Sequence, residues 1–467
     1  MNQSDLDDIQ GLIIRGYRMP VASHLVLRID RRQAFAAALR RLTEENEKSP
    51  FITVATDWVT KPPKRKRARN CVNIGFTFAG LKELGVPDTS LVTFPDAFKK
   101  GAPARAKMAG ETGSNAPEHW HEALKSDHAH AILSVYADGE DERQRVITAI
   151  GVTDGPATVL DRIDAYRLRH GDRAVEHFGY VDGLSQPTIE GVDPIPGIRD
   201  PLPPVKPGEF VLGHEAERDP PWHAPPRPPD LGYNGSFAAF RVMFQDVPAF
   251  WKFLASESAR LGIDRELLAA KVCGRWRNGE PLVMRPPNVP AKTVPDDSRN
   301  DFDYEITEAF PFGDREGSLC PRGAHIRRAF PRSQRVVDDG VGNMRRIVRR
   351  GMPYGPPCDP ADPKPGERGL VGLFICASLE NQYEYIMGRW LNGGAFTGGG
   401  LADTKDPLIG ANDPAASRFV MPGARRMEVK GFPRFVITRG CAYLFLPSMT
   451  ALRYLAKQAT DPYQAAV

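Results

Sequence analysis

Apolar residues along the chain fall into two rhythms, a period of two and a period near 3.6, and their succession predicts strands followed directly by helices. Leu25, Leu27 and Ile29 share one face of a strand, Asp30 stands at the cap position, and Phe35, Ala38, Leu39 and Leu42 recur at helical spacing. The same order returns past residue 236. Phe240, Val242 and Phe244 alternate, Asp246 takes the cap position, and Val247, Phe250, Trp251 and Leu254 form an apolar stripe, with Pro248 tolerated in the first turn. Further strand-then-helix units are predicted at Val72 to Leu84, Ala131 to Ile150, Leu370 to Trp390 and Ala442 to Leu455, evenly on both sides of the middle.

Between the halves, from Asp193 to Gly235, runs such as PLPPVKPG and DPPWHAPPRPPD cannot form regular helix and read as a long surface connection. The predicted organisation is therefore a first half over 1–192, a connection over 193–235 and a second half over 236–467. Strands mixed with helices on one face imply an α+β architecture, two copies of a βαββαβ-like unit, and not a doubly wound sheet. GLVGLF lacks the spacing of a phosphate or dinucleotide loop, and the glycine run from Gly393 to Gly400 follows a helix, not a strand.

With 467 residues the chain can bury a sizeable core. Its 62 basic and 58 acidic residues leave a formal charge of +4, which points to neither nucleic acid nor a membrane surface as partner. The run Lys64 to Arg67, with Arg69, has no interleaved aromatic residues and reads as a solvated loop between strands. Its rival reading is a ligand surface on a binding protein. The six cysteines, Cys71, Cys273, Cys320, Cys358, Cys376 and Cys441, are scattered singly. Together with an acidic N-terminus and no long apolar run, they lead us to expect a cytoplasmic protein.

Three segments carry candidate chemistry. In HFGYVDGLSQP, residues 177–187, Asp182 sits among apolar residues and glycines, where poor solvation would push its carboxyl upward; the same residues also suit an ordinary turn. In CPRGAHIRRAFPR, residues 320–332, His325 is the only histidine of the second half, flanked by small residues. One imidazole is too little for zinc but enough for haem iron, whose porphyrin supplies the other nitrogens; a structural histidine is the alternative. In RRIVRRGMPYG, residues 345–355, an arginine at the end of a predicted strand could enter a pocket as a permanent cation or decorate a surface. A rival metal site at His119, His121, His128 and His130 is disfavoured, because PEHWHEAL reads as helix and residues two apart on a helix do not share a face.

In this order the three segments resemble signatures of the dye-decolorizing peroxidases: the GxxDG motif, the proximal-histidine segment and the distal-arginine segment. LDDIQGLIIRGY, NGSFAAFRVMFQDVPAFWKFL, KVCGRWRNGEPL and GLVGLFICASLENQYEYIMGRW are similar to family stretches as well, so the likeness covers nearly the whole chain. The resemblance implies two ferredoxin-like halves facing each other and a haem peroxidase. It implies His325 as proximal iron ligand, Asp182 as acid and base toward hydrogen peroxide, and Arg349 as the cation that stabilises the leaving oxygen. Because no CxxCH is present, the haem would be noncovalent haem b. Phe330 stands where the family typically has asparagine.

On this reading Arg327, with Arg322, Arg328 and Arg332 near it, suits the haem carboxylates, and Phe374 suits a pocket wall. Glu380 and Glu384 are candidates to accept the second ring proton of His325. Organic reductants, phenolic or dye-like, would pass electrons through aromatic residues such as Trp276, Tyr354 and Trp390. The alternative is a haem carrier, sensor or iron-release protein with little turnover. Oligomeric state is not encoded in any of these patterns.

Overall fold

The computed structural model describes residues 1–44, 51–59, 69–194, 199–287, 293–305, 308, 313–334, 345–359, 364–394, 404–423 and 425–460. The basic run Lys64 to Arg67 and the glycines Gly398 to Gly400 lie outside them. Among the described residues, eight strands form one closed barrel: β1 (Val21–Ile29), β2 (Asn70–Phe76), β3 (Ala131–Ala137), β4 (Ala157–Tyr166), β5 (Ser236–Gln245), β6 (Val348–Tyr354), β7 (Gly369–Cys376) and β8 (Val436–Leu446). Around the barrel they run β1-β3-β2-β8-β5-β7-β6-β4, and each pair is antiparallel.

Counted from its own first strand, each half has the same order, fourth-first-third-second: β4-β1-β3-β2 and β8-β5-β7-β6. Helices follow the first and third strand of each half. These are α1 (Arg32–Leu42), α2 (Glu140–Ile150), α3 (Val247–Leu261) and a wide π-type helix spanning Leu379–Glu384 and Ile386–Leu391. This is the α+β, paired ferredoxin-like arrangement expected from the recurring strand-then-helix units. The halves meet along narrow seams, where the registered pairs are Phe76↔Phe445 and Ala165↔Tyr354.

Alternation along the strands separates two apolar layers. Val26, Ile132, Phe240, Val242, Leu373 and Ile375 point inward and fill the barrel. On the outside of the first half, Leu27, Ile29 and Val135 pack under Phe35, Leu39 and Val146 of α1 and α2. On the outside of the second half, Leu370 and Phe374 of β7 are only partly buried, and they share their face with Arg349 of β6, which is in register with Phe374.

Local chemistry explains where elements start and where expectation fails. Asp246 caps α3, accepting the Ala249 N–H at 3.0 Å, as its position suggested. Asp30 does not cap α1: it binds Arg28 and Thr158 instead, and α1 begins after Arg31 without a side-chain cap. The PEHWHEAL helix is broken. Pro117–His119 make a single tight turn, the Trp120 indole donates to the Asn115 carbonyl at 2.8 Å, and the His121 N–H donates to Arg439 before Glu122–Lys125 turns again. His121 there pairs with Asp161, and His130 accepts from the Ile29 N–H.

A buried ion pair ties the segment before α2 to the second half: Glu111 and Arg241 of β5 are each 3 % exposed, and both also bind Thr438. Removing one partner strands a charge in the core. Glu111→Leu should therefore lower the unfolding free energy by about 3–5 kcal/mol in urea titrations, against about 1 kcal/mol for Asp246→Ala, which removes only a cap.

Candidate active site

His325 opens a helix only five residues long, α4 (His325–Ala329). So short a helix does not hold itself, and tertiary contacts do the work. Asp314 accepts the N–H groups of Leu319 and Cys320, the Lys271 ammonium donates to the Ser318 and Leu319 carbonyls, and Arg328 donates to the carbonyls of Trp390, Gly393 and Thr404. The imidazole is thereby delivered to Asp406, whose Oδ2 lies 2.9 Å from Nδ1. The Asp406 side chain is fully buried while that of His325 is 23 % exposed.

Asp406 is itself held on all sides. Its Oδ1 accepts the Leu408 and Ile409 N–H groups, each at 2.9 Å, and its own N–H donates to Leu391 at the end of the wide helix. Burial opposes its charge, but His325, the hydrogen bonds from His325 and Ile409, and Arg328 outweigh burial and hold the carboxyl below its ordinary range. With Nδ1 engaged, Nε2 is left without a protein partner among the described residues.

The carboxylates expected behind His325 are elsewhere. Glu384 pairs with Arg105 and accepts from the Tyr443 hydroxyl at 2.9 Å, and Glu380 lies 3.3 Å from Arg105. Arg327 also departs from expectation. It is fully buried, stacks 4.2 Å over Tyr304, and donates to Asp314, Gln334 and the carbonyls of Asp314, Arg315 and Cys320. Arg332 is likewise spent on the Asn300 and Phe302 carbonyls and the Asn300 side chain. These guanidiniums brace the loop that carries the histidine, and all five N–H groups of Arg327 are already taken by protein acceptors.

The first and third segments are laced together. His177 donates from Nε2 to the Tyr354 carbonyl at 2.8 Å, and further along β6 the Gln186 amide both accepts the Arg349 N–H and donates to the Arg349 carbonyl, at 3.2 and 3.1 Å. The Arg349 guanidinium donates to the Ser185 carbonyl at 2.6 Å. Arg349 is thus tied to a residue three positions after Asp182, with no ion pair between the two among the described residues. Asp182 is exposed, its Oδ1 accepting the Gly183 N–H at 2.6 Å. The poorly solvated carboxyl of this stretch is not Asp182 but Glu176, pushed up to about 7 by burial, with Asp182 adding like-charge repulsion.

One apolar cluster joins the first two segments and the strand beside the third: Phe178 and Tyr180 belong to it, Ile326 packs against it, and so do Ile409 and the β7 residues Leu370 and Phe374, the latter in register with Arg349. Among the described residues no group of three or more histidines, cysteines, aspartates or glutamates could hold a bare metal ion. A single imidazole with a buried carboxylate behind it, beside half-buried apolar side chains, suits an iron porphyrin instead. The Phe330 side chain carries no hydrogen-bonding group; its ring lies 4.1 Å from the Arg346 guanidinium, which pairs with Asp200. Of the aromatic residues named as electron stations, Trp390 and Tyr354 are buried, and the Trp276 indole donates to the Arg285 carbonyl. All six cysteines are free, and no helix among the described residues is long and apolar enough to cross a membrane.

Residues 8–159 match the family model described as the DyP dimeric alpha+beta barrel domain. The chain is 30% identical over 400 residues to a dye-decolorizing peroxidase of Exidia glandulosa, covering 82% of this chain and 74% of that protein. It is 28% identical over 476 residues to Peroxidase 2 of Mycetinis scorodonius, covering 96% and 87%. Among solved structures, a dye-decolorizing peroxidase in complex with 2,6-dimethoxyphenol superposes with a TM-score of 0.79 at 26% identity, covering 97% of this chain and 99% of that one. A further crystal structure of DyP gives 0.80 at 25% identity, covering 97% and 98%.

The lowered Asp406 carboxyl makes a signed prediction. Its ionised form is favoured by folding, so its stabilisation is complete above the ordinary carboxylate value of 3.8 and is lost as pH falls through the folded value. Unfolding free energies of the parent should therefore decline more steeply below about pH 4 than those of Asp406→Asn. Parallel curves would remove the assignment of that charge.

Proposed function

The chain belongs to the dye-decolorizing peroxidase family and is a haem peroxidase, and from that premise we propose that it uses His325 as iron ligand, Asp182 as acid and base, and Arg349 as stabilising cation. The observation that carries this reading is the lacing of Ser185 and Gln186 onto Arg349, which ties the segment that bears the acid to the strand that bears the cation. Haem b, bound without a covalent link, supplies the electron transfer by which hydrogen peroxide is reduced and an organic reductant is oxidised.

His325 holds the cofactor through Nε2, because its Nδ1 proton is committed to Asp406. That commitment fixes the tautomer and makes the imidazole more electron-rich. Phe374, half-buried and in register with Arg349, walls the same face. Asp182, exposed and mounted on a glycine-flanked turn, takes the proton from one peroxide oxygen and returns it to the oxygen that leaves. The Arg349 guanidinium, anchored at one nitrogen by the Ser185 carbonyl, keeps other N–H groups to meet the negative charge on the leaving oxygen.

Phenols and dyes are the reductants this reading assigns, in line with the relatives' names and the dimethoxyphenol seen in a related structure. The two halves, 1–192 and 236–467, would divide the labour, the first bringing Asp182 and the second His325 and Arg349. The Asp200–Arg346 ion pair at 2.7 Å ties the connection over 193–235 to the second half.

Stopped-flow mixing of holoprotein with peroxide tests the assignment. Asp182→Asn and Arg349→Leu should each slow the Soret change by ~100-fold or more. His325→Ala should abolish the Soret band, and Asp406→Asn should weaken haem retention by roughly 10–100-fold. Parent rates in both the Asp182 and Arg349 variants, with haem transfer to an acceptor protein intact, would favour a carrier instead.

A further inference from the structure

We propose that Glu176 is a positioning residue for Asp182: its carboxylate gathers three N–H donors and so fixes the turn on which the acid is mounted. This rests on the role given to Asp182 above.

Within the turn itself, few main-chain bonds close it. Its ends meet in a single antiparallel bridge, Val175↔Val181, continued by the Asp182 N–H on the Ala174 carbonyl at 3.2 Å. Inside, the Glu176 N–H donates to the Tyr180 carbonyl at 3.0 Å and the Gly179 N–H to the Glu176 carbonyl at 2.8 Å. Gly179, with φ at 94°, makes the reversal that a side chain would strain. Two amides in the bend then point inward without backbone partners, those of Phe178 and Tyr180.

Glu176 supplies what they lack. Its Oε1 accepts the Tyr180 N–H at 2.9 Å, and its Oε2 accepts the Phe178 N–H at 3.0 Å and the Gln245 side-chain amide at 2.6 Å. Gln245 ends β5, so the carboxylate fastens the turn to the barrel as well as closing it. The apolar side of the same turn is anchored independently. Phe178 lies 4.5 Å from Phe250, and the Tyr180 hydroxyl donates to the Ala269 carbonyl at 2.8 Å.

All three polar neighbours of the carboxylate are donors, so an amide in its place cannot satisfy them: one of its two ends would face a donor with a donor. Glu176→Gln preserves volume while loosening the amides, and a displaced acid reacts more slowly even when its chemistry is unchanged. Burial pushes the Glu176 carboxyl up to about 7, as expected of a group held for its geometry at an electrostatic cost.

The test compares holoenzymes by stopped flow. Glu176→Gln should lower the rate constant for reaction with peroxide by roughly tenfold or more, while leaving the Soret spectrum and the rate constant for the organic reductant unchanged. In an Asp182→Asn background the same substitution should add nothing, because it acts through Asp182. In the apoprotein, hydrogen exchange at the Phe178 and Tyr180 amides should quicken.

Parent-like peroxide reactivity in Glu176→Gln beside a slow Asp182→Asn would overturn this inference alone, as would losses that multiply in the double variant. A parent-like Asp182→Asn would instead remove the assignment of Asp182 and this inference with it. Should Glu176→Gln not fold, Gln245→Ala removes only the outer donor. A fall of roughly two- to fivefold in the peroxide step then supports the proposal, and an unchanged rate rejects it.

Discussion

A carboxylate with no access to water keeps its charge only while hydrogen-bond donors and positive charge surround it, and Asp406 lives under that constraint. Two backbone amides and the imidazole of His325 meet it. The consequences run outward in both directions. On the imidazole side, the engaged Nδ1 leaves Nε2 as the ring nitrogen of His325 without a protein partner among the described residues. Toward the scaffold, the Asp406 N–H reaches Leu391 and its carbonyl accepts from Asn412, so Asp406 ties the end of the wide helix to α4. A π-type helix at this point accords with the tendency of such wide turns to occur beside functional sites.

Around that body the protein uses arginine as a structural tie. Arg327, Arg328, Arg332 and Arg350 are all buried, and most of their bonds end on backbone carbonyls, those of Arg327 and Arg332 in loops. A planar fork with five N–H groups can close several carbonyls at once, which a lysine cannot. Burial pulls Arg328 and Arg350 down to about 10, far enough above neutrality for the charge to persist. Long irregular segments can therefore frame a site without forming regular structure of their own.

The repeated strand-and-helix units and the α+β class could be read from periodicity, because both halves bury one face of each element and expose or cover the other. Strand β4 could not: in ATVLDRIDAY the outward positions carry Asp161, Arg162 and Asp164, and the remaining Ile163 and Ala165 are too few to mark a period. Asp406 was invisible for a different reason. Its local signature, an aspartate before proline, announces a turn, and nothing nearby reveals a partner 81 residues distant. Asp182 and Arg327 were misjudged in opposite senses. Apolar neighbours suggested a buried aspartate, yet those neighbours, Tyr180 and Phe178, turn into the core and leave Asp182 exposed. An arginine beside a histidine suggested a ligand contact, where the fold needed a brace.

Gln186 has a second significance. Strand β6 pairs along its length with β7, but on its other side meets β4 at Tyr354 alone, which leaves unsatisfied main-chain groups at the height of Arg349. Such an open flank is a template on which another polypeptide can add itself, and proteins that retain one risk fibrillar self-association. By offering one donor and one acceptor from a single amide group, Gln186 imitates the missing neighbour and terminates the ladder. The same contact that ties Arg349 to the segment after Asp182 also closes this flank of the barrel.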